Sequence, residues 1–121
     1  MNDNGFPQGR HSYSAAAAGS GVAATTHRVD VTDPAQIDAV FAAAIAARGR
    51  VHSVVWAAGP FVNQRHIGDM THDDWRRAIE VETVGFFNAV KAVLPHFRAS
   101  GGGSFVTLGS AGHAGGRSPL G

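Results

Sequence analysis

An α/β domain, a parallel sheet with helices on both faces and incomplete at both ends, is the fold class predicted by these 121 residues. Three observations predict it. Two short apolar runs, residues 51–58 (VHSVVWAA) and 104–108, lack helical periodicity and are bounded by turn residues, as covered strands are. Two longer segments, 33–49 and 71–98, repeat their apolar residues at helical spacing. A β-branched stretch at 27–31 precedes them, giving the order strand, helix, strand, helix, strand. Helices of crossover length between strands imply parallel pairing and right-handed connections.

The first helix is announced by its start. Asp33 is a good N-cap, Pro34 occupies the first helical position, and Gln36 follows the cap by three residues. Ile37, Val40, Phe41, Ala44 and Ile45 then form one face, and Gly49 stops the helix. Residues 51–58 read as a strand covered on both faces. A loop containing Gly59, Pro60, Asn63 and Gly68 follows, and Thr71 with Asp74 marks a second helix start. The stripe expected on this long helix is Trp75, Ile79, Glu82, Phe86, Ala89 or Val90, Val93 and Phe97. After Gly101-Gly102-Gly103 comes the last strand, and residues 109–121 read as a glycine-rich loop. Residues 1–25 form a separate segment expected to be poorly ordered or partly helical, and residues 26–121 form the domain.

Composition narrows the functional classes. Hydrophobic residues make up 44% and charged residues 16%, a globular balance. The net charge is +1 and the basic residues are scattered, so no basic stripe for nucleic acid is present. There is no cysteine, which excludes disulfides and thiolate chemistry. The seven histidines show no zinc-like spacing. No run approaches the roughly 18 apolar residues of a membrane span. The expectation is a cytoplasmic protein that uses neither membrane nor nucleic acid.

In parallel sheets of this kind ligands sit beyond the carboxyl ends of the strands. Three segments belong to that edge. Asp30-Val31 ends the first strand, and the Asp30 carboxylate either accepts a hydrogen bond from an exocyclic amine or caps a turn. Ala57-Ala58-Gly59 ends the second, where small residues either let a ring or ribose approach the backbone or simply make a turn. Gly109-Ser110 ends the third, and Ser110 either polarises a substrate oxygen or is a structural turn serine. Glu82 falls on the apolar stripe, where an unpaired buried carboxylate is costly. It faces a wet cavity or partner, or the stripe bends near Gly85.

In order and spacing, residues 28–121 resemble the short-chain dehydrogenase/reductase family. Val29-Asp30-Val31-Thr32-Asp33 looks like its strand-end contact to adenine. Val54-Val55-Trp56-Ala57-Ala58-Gly59 looks like its Asn-Asn-Ala-Gly motif, with Trp56 and Ala57 at the Asn positions. Residues 75–86 and Leu94-Pro95-His96-Phe97 resemble its long helix. Phe105 to Gly112 looks like the strand ending in the catalytic serine, which places that role on Ser110, and Glu82 stands where the family usually has an active-site Asn.

The resemblance implies a Rossmann-like fold, NAD or NADP as cofactor, a small-molecule substrate, and hydride transfer to or from a carbonyl or alcohol. It implies cofactor contacts at Asp30, Val31, Ala57, Ala58 and Gly59, catalytic roles at Ser110 and Glu82, and the long helix as the surface through which copies would pair. The glycine-rich pyrophosphate loop and the active-site Tyr and Lys are not found in these residues, so the chain is expected to be a fragment, inactive on its own and binding NAD or NADP poorly or not at all. The alternatives are a non-catalytic binding or scaffold module on the same fold and, less favoured, a response-regulator-like domain, which would need an acidic cluster at the strand ends.

Overall fold

The computed structural model describes residues 19, 21–59 and 67–109. The first helix, α1, spans Pro34–Arg48. Its start follows the sequence: the Asp33 side chain accepts from the amides of Ala35 and Gln36. Gln36 does not close the reciprocal box on Asp33 N. Its Oε1 instead accepts from Asp30 N at 2.9 Å, while its Nε2 donates to Asp33 Oδ2. The helix cap therefore also fixes the turn ahead of it. At the other end Gly49 caps with φ 77°, a left-handed value that glycine adopts without strain. Ile37 is buried, and Val40, Phe41, Ala44 and Ile45 are half-buried, so the expected face is the one covered.

Two strands, β1 (Ser53–Trp56) and β2 (Ser104–Thr107), pair in parallel with Ser53 opposite Ser104 and Trp56 opposite Thr107. One face of β1, carrying Val54 and Trp56, is half-buried. The other, carrying Ser53 and Val55, is exposed, with Val55 at 63%. The expectation of a strand covered on both faces thus holds for one face among the described residues. Residues 27–31 were expected to form a strand and do not. A strand exists by its ladder, and no described segment supplies hydrogen bonds to this one.

The long helical stretch has three parts. Helix α2 (His72–Ile79) starts with a capping box, in which Thr71 and Asp74 each bond the other's backbone amide. A π-helical turn follows at Glu80–Val84, and α3 (Gly85–Ala99) continues it. Helix α3 passes through Pro95 and ends at Ser100. Gly101 (φ 82°) then turns the chain so that Gly102 N donates to Phe97 O at 2.7 Å, the long bond of a Schellman motif.

The buried residues Ala89, Val93 and Phe97 belong to α3, which packs along α1 through Ile37's side of that helix. Trp56, Phe86 and Phe105 form an edge-to-face row that fastens α3 to both strands. The expected stripe holds in α3 but not in α2, where Trp75 (56%) and Ile79 (42%) are exposed. The covered column there runs one position earlier, through Ala78 and Val81. Beside α1 the buried arc is wide enough for both columns. Toward α2 it narrows to one.

Candidate functional site

The parallel register sets the site's frame. Leu108 N donates to Trp56 O at 3.0 Å, so Ala57-Ala58-Gly59 and Leu108-Gly109 leave the sheet side by side at its carboxyl edge. Ser110, the next residue, lies outside the described residues, as does Tyr13. Gly59 is open: the one atom near where its side chain would begin is Glu82 Oε1, at 3.7 Å.

Asp30, Val31 and Thr32 join this edge through α3 and not through strand pairing. Asn88, on α3 and only 9% exposed, donates from Nδ2 to Val31 O at 3.2 Å and to Thr32 O at 3.5 Å. Val31 and Trp56 both rest against Gly85, whose missing side chain leaves them room: a β-carbon there would sit 2.9 Å from Val31 Cγ2 and 3.4 Å from Trp56 Cζ2. Glycine is required at Gly85 for this close approach. Asn88 is a positioning residue that the sequence reading missed. Its signal was present, since it falls on the i, i+4 column of Gly85, Ala89 and Ala92, where an amide needs a partner. Asn88→Leu should cost about 1–3 kcal/mol, because it strands two carbonyls; urea unfolding measures it, and an unchanged midpoint would contradict this bridging role.

The Asp30 carboxylate is held by a tight local turn. Thr32 N and Thr32 Oγ1 both donate to Oδ1, at 3.0 and 2.8 Å, and Asp33 N donates to Asp30 O at 3.1 Å. Oδ2 receives no hydrogen bond among the described residues, so the group has one oxygen fixed and the other free to accept. Both readings of Asp30 therefore meet in one residue: it caps a turn and still presents an acceptor. The Thr32 hydroxyl, then the Thr32 amide and the charge of Arg77 hold its carboxyl below the ordinary 3.8, against a small opposing effect of burial. A depressed carboxyl stabilises the fold above its unfolded value and loses that contribution as pH falls through the folded value. Following the Asp30 carboxylate by NMR should give a midpoint below 3.8, moved upward in Thr32→Val; equal midpoints in the two proteins would remove the hydroxyl as the cause.

Glu82 was expected on a buried stripe. It is instead exposed, in the π-turn immediately before Gly85, so the helix does change geometry there and the carboxylate also reaches solvent at the sheet edge. It makes no hydrogen bond or ion pair among the described residues. Elsewhere, a shallow groove of about 320 Å3 is lined by Ile67, Met70, Thr71, His72 and Trp75, at the start of α2. None of its lining residues belongs to the strand-end segments Asp30–Thr32, Ala57–Gly59 or Leu108–Gly109. Among the described residues no three His, Asp or Glu side chains converge as a metal-holding group, and no helix is long and apolar enough to cross a membrane.

Comparison with known proteins follows the same outline. The family model described as enoyl-(acyl carrier protein) reductase matches residues 5–118. A 3-alpha-(or 20-beta)-hydroxysteroid dehydrogenase of Mycobacterium bovis is 34% identical over 82 residues, 68% of this chain and 31% of that protein. A trans-4-hydroxycyclohexanecarboxylate dehydrogenase of Sinomonas cyclohexanicum is 36% identical over 92 residues, 76% of this chain and 34% of that protein. Among solved structures, a 7 alpha-hydroxysteroid dehydrogenase complexed with NADH and 7-oxo glycochenodeoxycholic acid superposes with a TM-score of 0.76 at 27% identity, covering 89% of this chain and 42% of that one. The chain spans about a third of the length of the curated relatives it matches.

Proposed function

Because the chain belongs to the short-chain dehydrogenase/reductase family of oxidoreductases, we propose that it carries the nucleotide-holding edge of an enzyme that moves hydride between NAD or NADP and a small-molecule alcohol or carbonyl. The observation that supports this reading is that the turn carrying Asp30, with one carboxylate oxygen free, and the end of β1 that leads into Ala57, Ala58 and Gly59 meet at Gly85, against which Val31 and Trp56 both rest. These residues fit the cofactor's adenosine half. Asp30 Oδ2 would accept from the exocyclic amine of adenine, with Val31 as its neighbour in the turn, and the small residues Ala57, Ala58 and Gly59 would admit a ribose. A solved relative that holds NADH supports the same cofactor class here.

A nicotinamide cofactor held here would supply or receive the hydride. The chain's own contribution is orientation. Ser110, following β2, holds the substrate oxygen by a hydrogen bond and so fixes the carbonyl or alcohol at the edge that the adenosine contacts define. The sequence contains no Tyr-x-x-x-Lys, so these residues hold and orient without supplying the family's proton donor, and the chain by itself binds nucleotide without turning it over. The test mixes the chain with NADH or NADPH and a cyclic ketone and follows the reduced cofactor by absorbance and by ligand-observed NMR. Saturation transfer to the adenine protons without loss of reduced cofactor is expected. Turnover would overturn the inactivity, and no transfer at millimolar nucleotide would overturn the site.

A further inference from the structure

We infer that Glu82 sets this edge to favour a bare adenosine ribose over a 2′-phosphorylated one, and so NAD over NADP; this rests on the nucleotide reading above. The turn that carries Asp30 and the end of β1 meet at Gly85. Glu82 belongs to the π-turn Glu80–Val84 that leads directly into Gly85. From there its Oε1 stands 3.7 Å from where a Gly59 side chain would begin. A ribose laid against Ala57-Ala58-Gly59 therefore has this carboxylate as its neighbour. Glu82 is exposed and makes no hydrogen bond or ion pair among the described residues, so both of its oxygens are open to a ligand.

The two cofactors differ at that ribose and nowhere else. A bare ribose presents adjacent 2′- and 3′-hydroxyls, and either can donate to a carboxylate in a short, charge-assisted hydrogen bond. A 2′-phosphate removes one of these donors and puts about −1.5 to −2 charges in its place at neutral pH. The carboxylate then meets repulsion where it would have met a proton. The other acid at this edge, Asp30, has the positive charge of Arg77 acting on it. No cation is paired with Glu82 among the described residues, so its charge is the unbalanced one. In a partly hydrated site the repulsion lowers affinity about tenfold. It falls on the phosphorylated cofactor alone, because the pyrophosphate and the nicotinamide are common to both.

The experiment compares dissociation constants of NAD+ and NADP+ for the full chain, Glu82→Gln and Glu82→Lys, with ADP-ribose as a probe that lacks the 2′-phosphate and the nicotinamide. Ligand-observed NMR reads all three nucleotides into the millimolar range. The parent chain is expected to prefer NAD+. Glu82→Gln should bind NADP+ more tightly than the parent does and cut the preference by about tenfold. Glu82→Lys should cut it further. A gain in NADP+ affinity is a result that a damaged fold does not produce. ADP-ribose bound by all three proteins with an unchanged NAD+ to NADP+ ratio would overturn the role of Glu82 and leave the nucleotide site standing, and so would a parent chain that prefers NADP+. No binding of ADP-ribose to any of them would overturn both.

Discussion

Phe97→Ala is expected to destabilise the chain by about 3–5 kcal/mol, the range for removing a buried aromatic ring. Phe97 is 7% exposed and lies in the last turns of α3 with Val93 and Ala89 on the same face. Its ring packs against the backbone of Gly103, the residue that leads into β2. Its own carbonyl receives the Gly102 amide that turns the chain. The substitution therefore empties the core at the point where helix passes to strand. Small domains are stable by only about 5–15 kcal/mol, so the loss is a large part of the whole. Urea unfolding followed by tryptophan fluorescence measures it, and a loss below about 1 kcal/mol would mean that Phe97 is not a core residue.

Gly85→Val is expected to cost about 3 kcal/mol, toward the upper end for overpacking, and to weaken nucleotide binding as well. Gly85 is the meeting point of α3, Val31 and Trp56, with Val31 Cγ2 2.9 Å from the position of a first side-chain carbon. Val31 is β-branched and short, so it cannot swing aside, and Trp56 is engaged edge-on with Phe86. The backbone must move, and Val31 carries the turn Asp30-Val31-Thr32 with it. In that event Asp30 leaves the sheet edge. Stability and ADP-ribose affinity should fall together. A variant that lost stability but bound ADP-ribose with parental affinity would show that the position of Asp30 does not depend on Gly85.

What was legible in the sequence is what is decided locally. Asp33 before Pro34, Thr71 paired with Asp74, and Gly49 after the last periodic residue place the helix ends at Pro34–Arg48 and His72, because caps act over three or four residues. The parallel pairing of residues 53–56 with 104–107 was legible because only a parallel sheet makes use of an intervening helix of that length. The stretch at 27–31 was misread because strand propensity describes a residue and a ladder needs a neighbour, which the described residues do not provide.

At the site, the small residues after β1 and the acid at Asp30 could be named in advance. Their connection could not, since it runs through Asn88 and Gly85 on a helix more than fifty residues downstream. Glu82 could be recognised as out of place on an apolar stripe. The π-turn that brings it out to Gly59 has no sequence signature that we can identify.

The central claim is that the carboxyl edge of this sheet is where a nucleotide binds. Mapping amide shifts of the labelled chain during a titration with ADP-ribose tests it most directly. The predicted result is a saturable change concentrated at Asp30, Val31, Thr32, Ala57, Ala58 and Gly59, lost in Asp30→Ala. Shifts centred instead on Ile67, Met70 and Trp75, or no saturable shift at millimolar ADP-ribose, would contradict it.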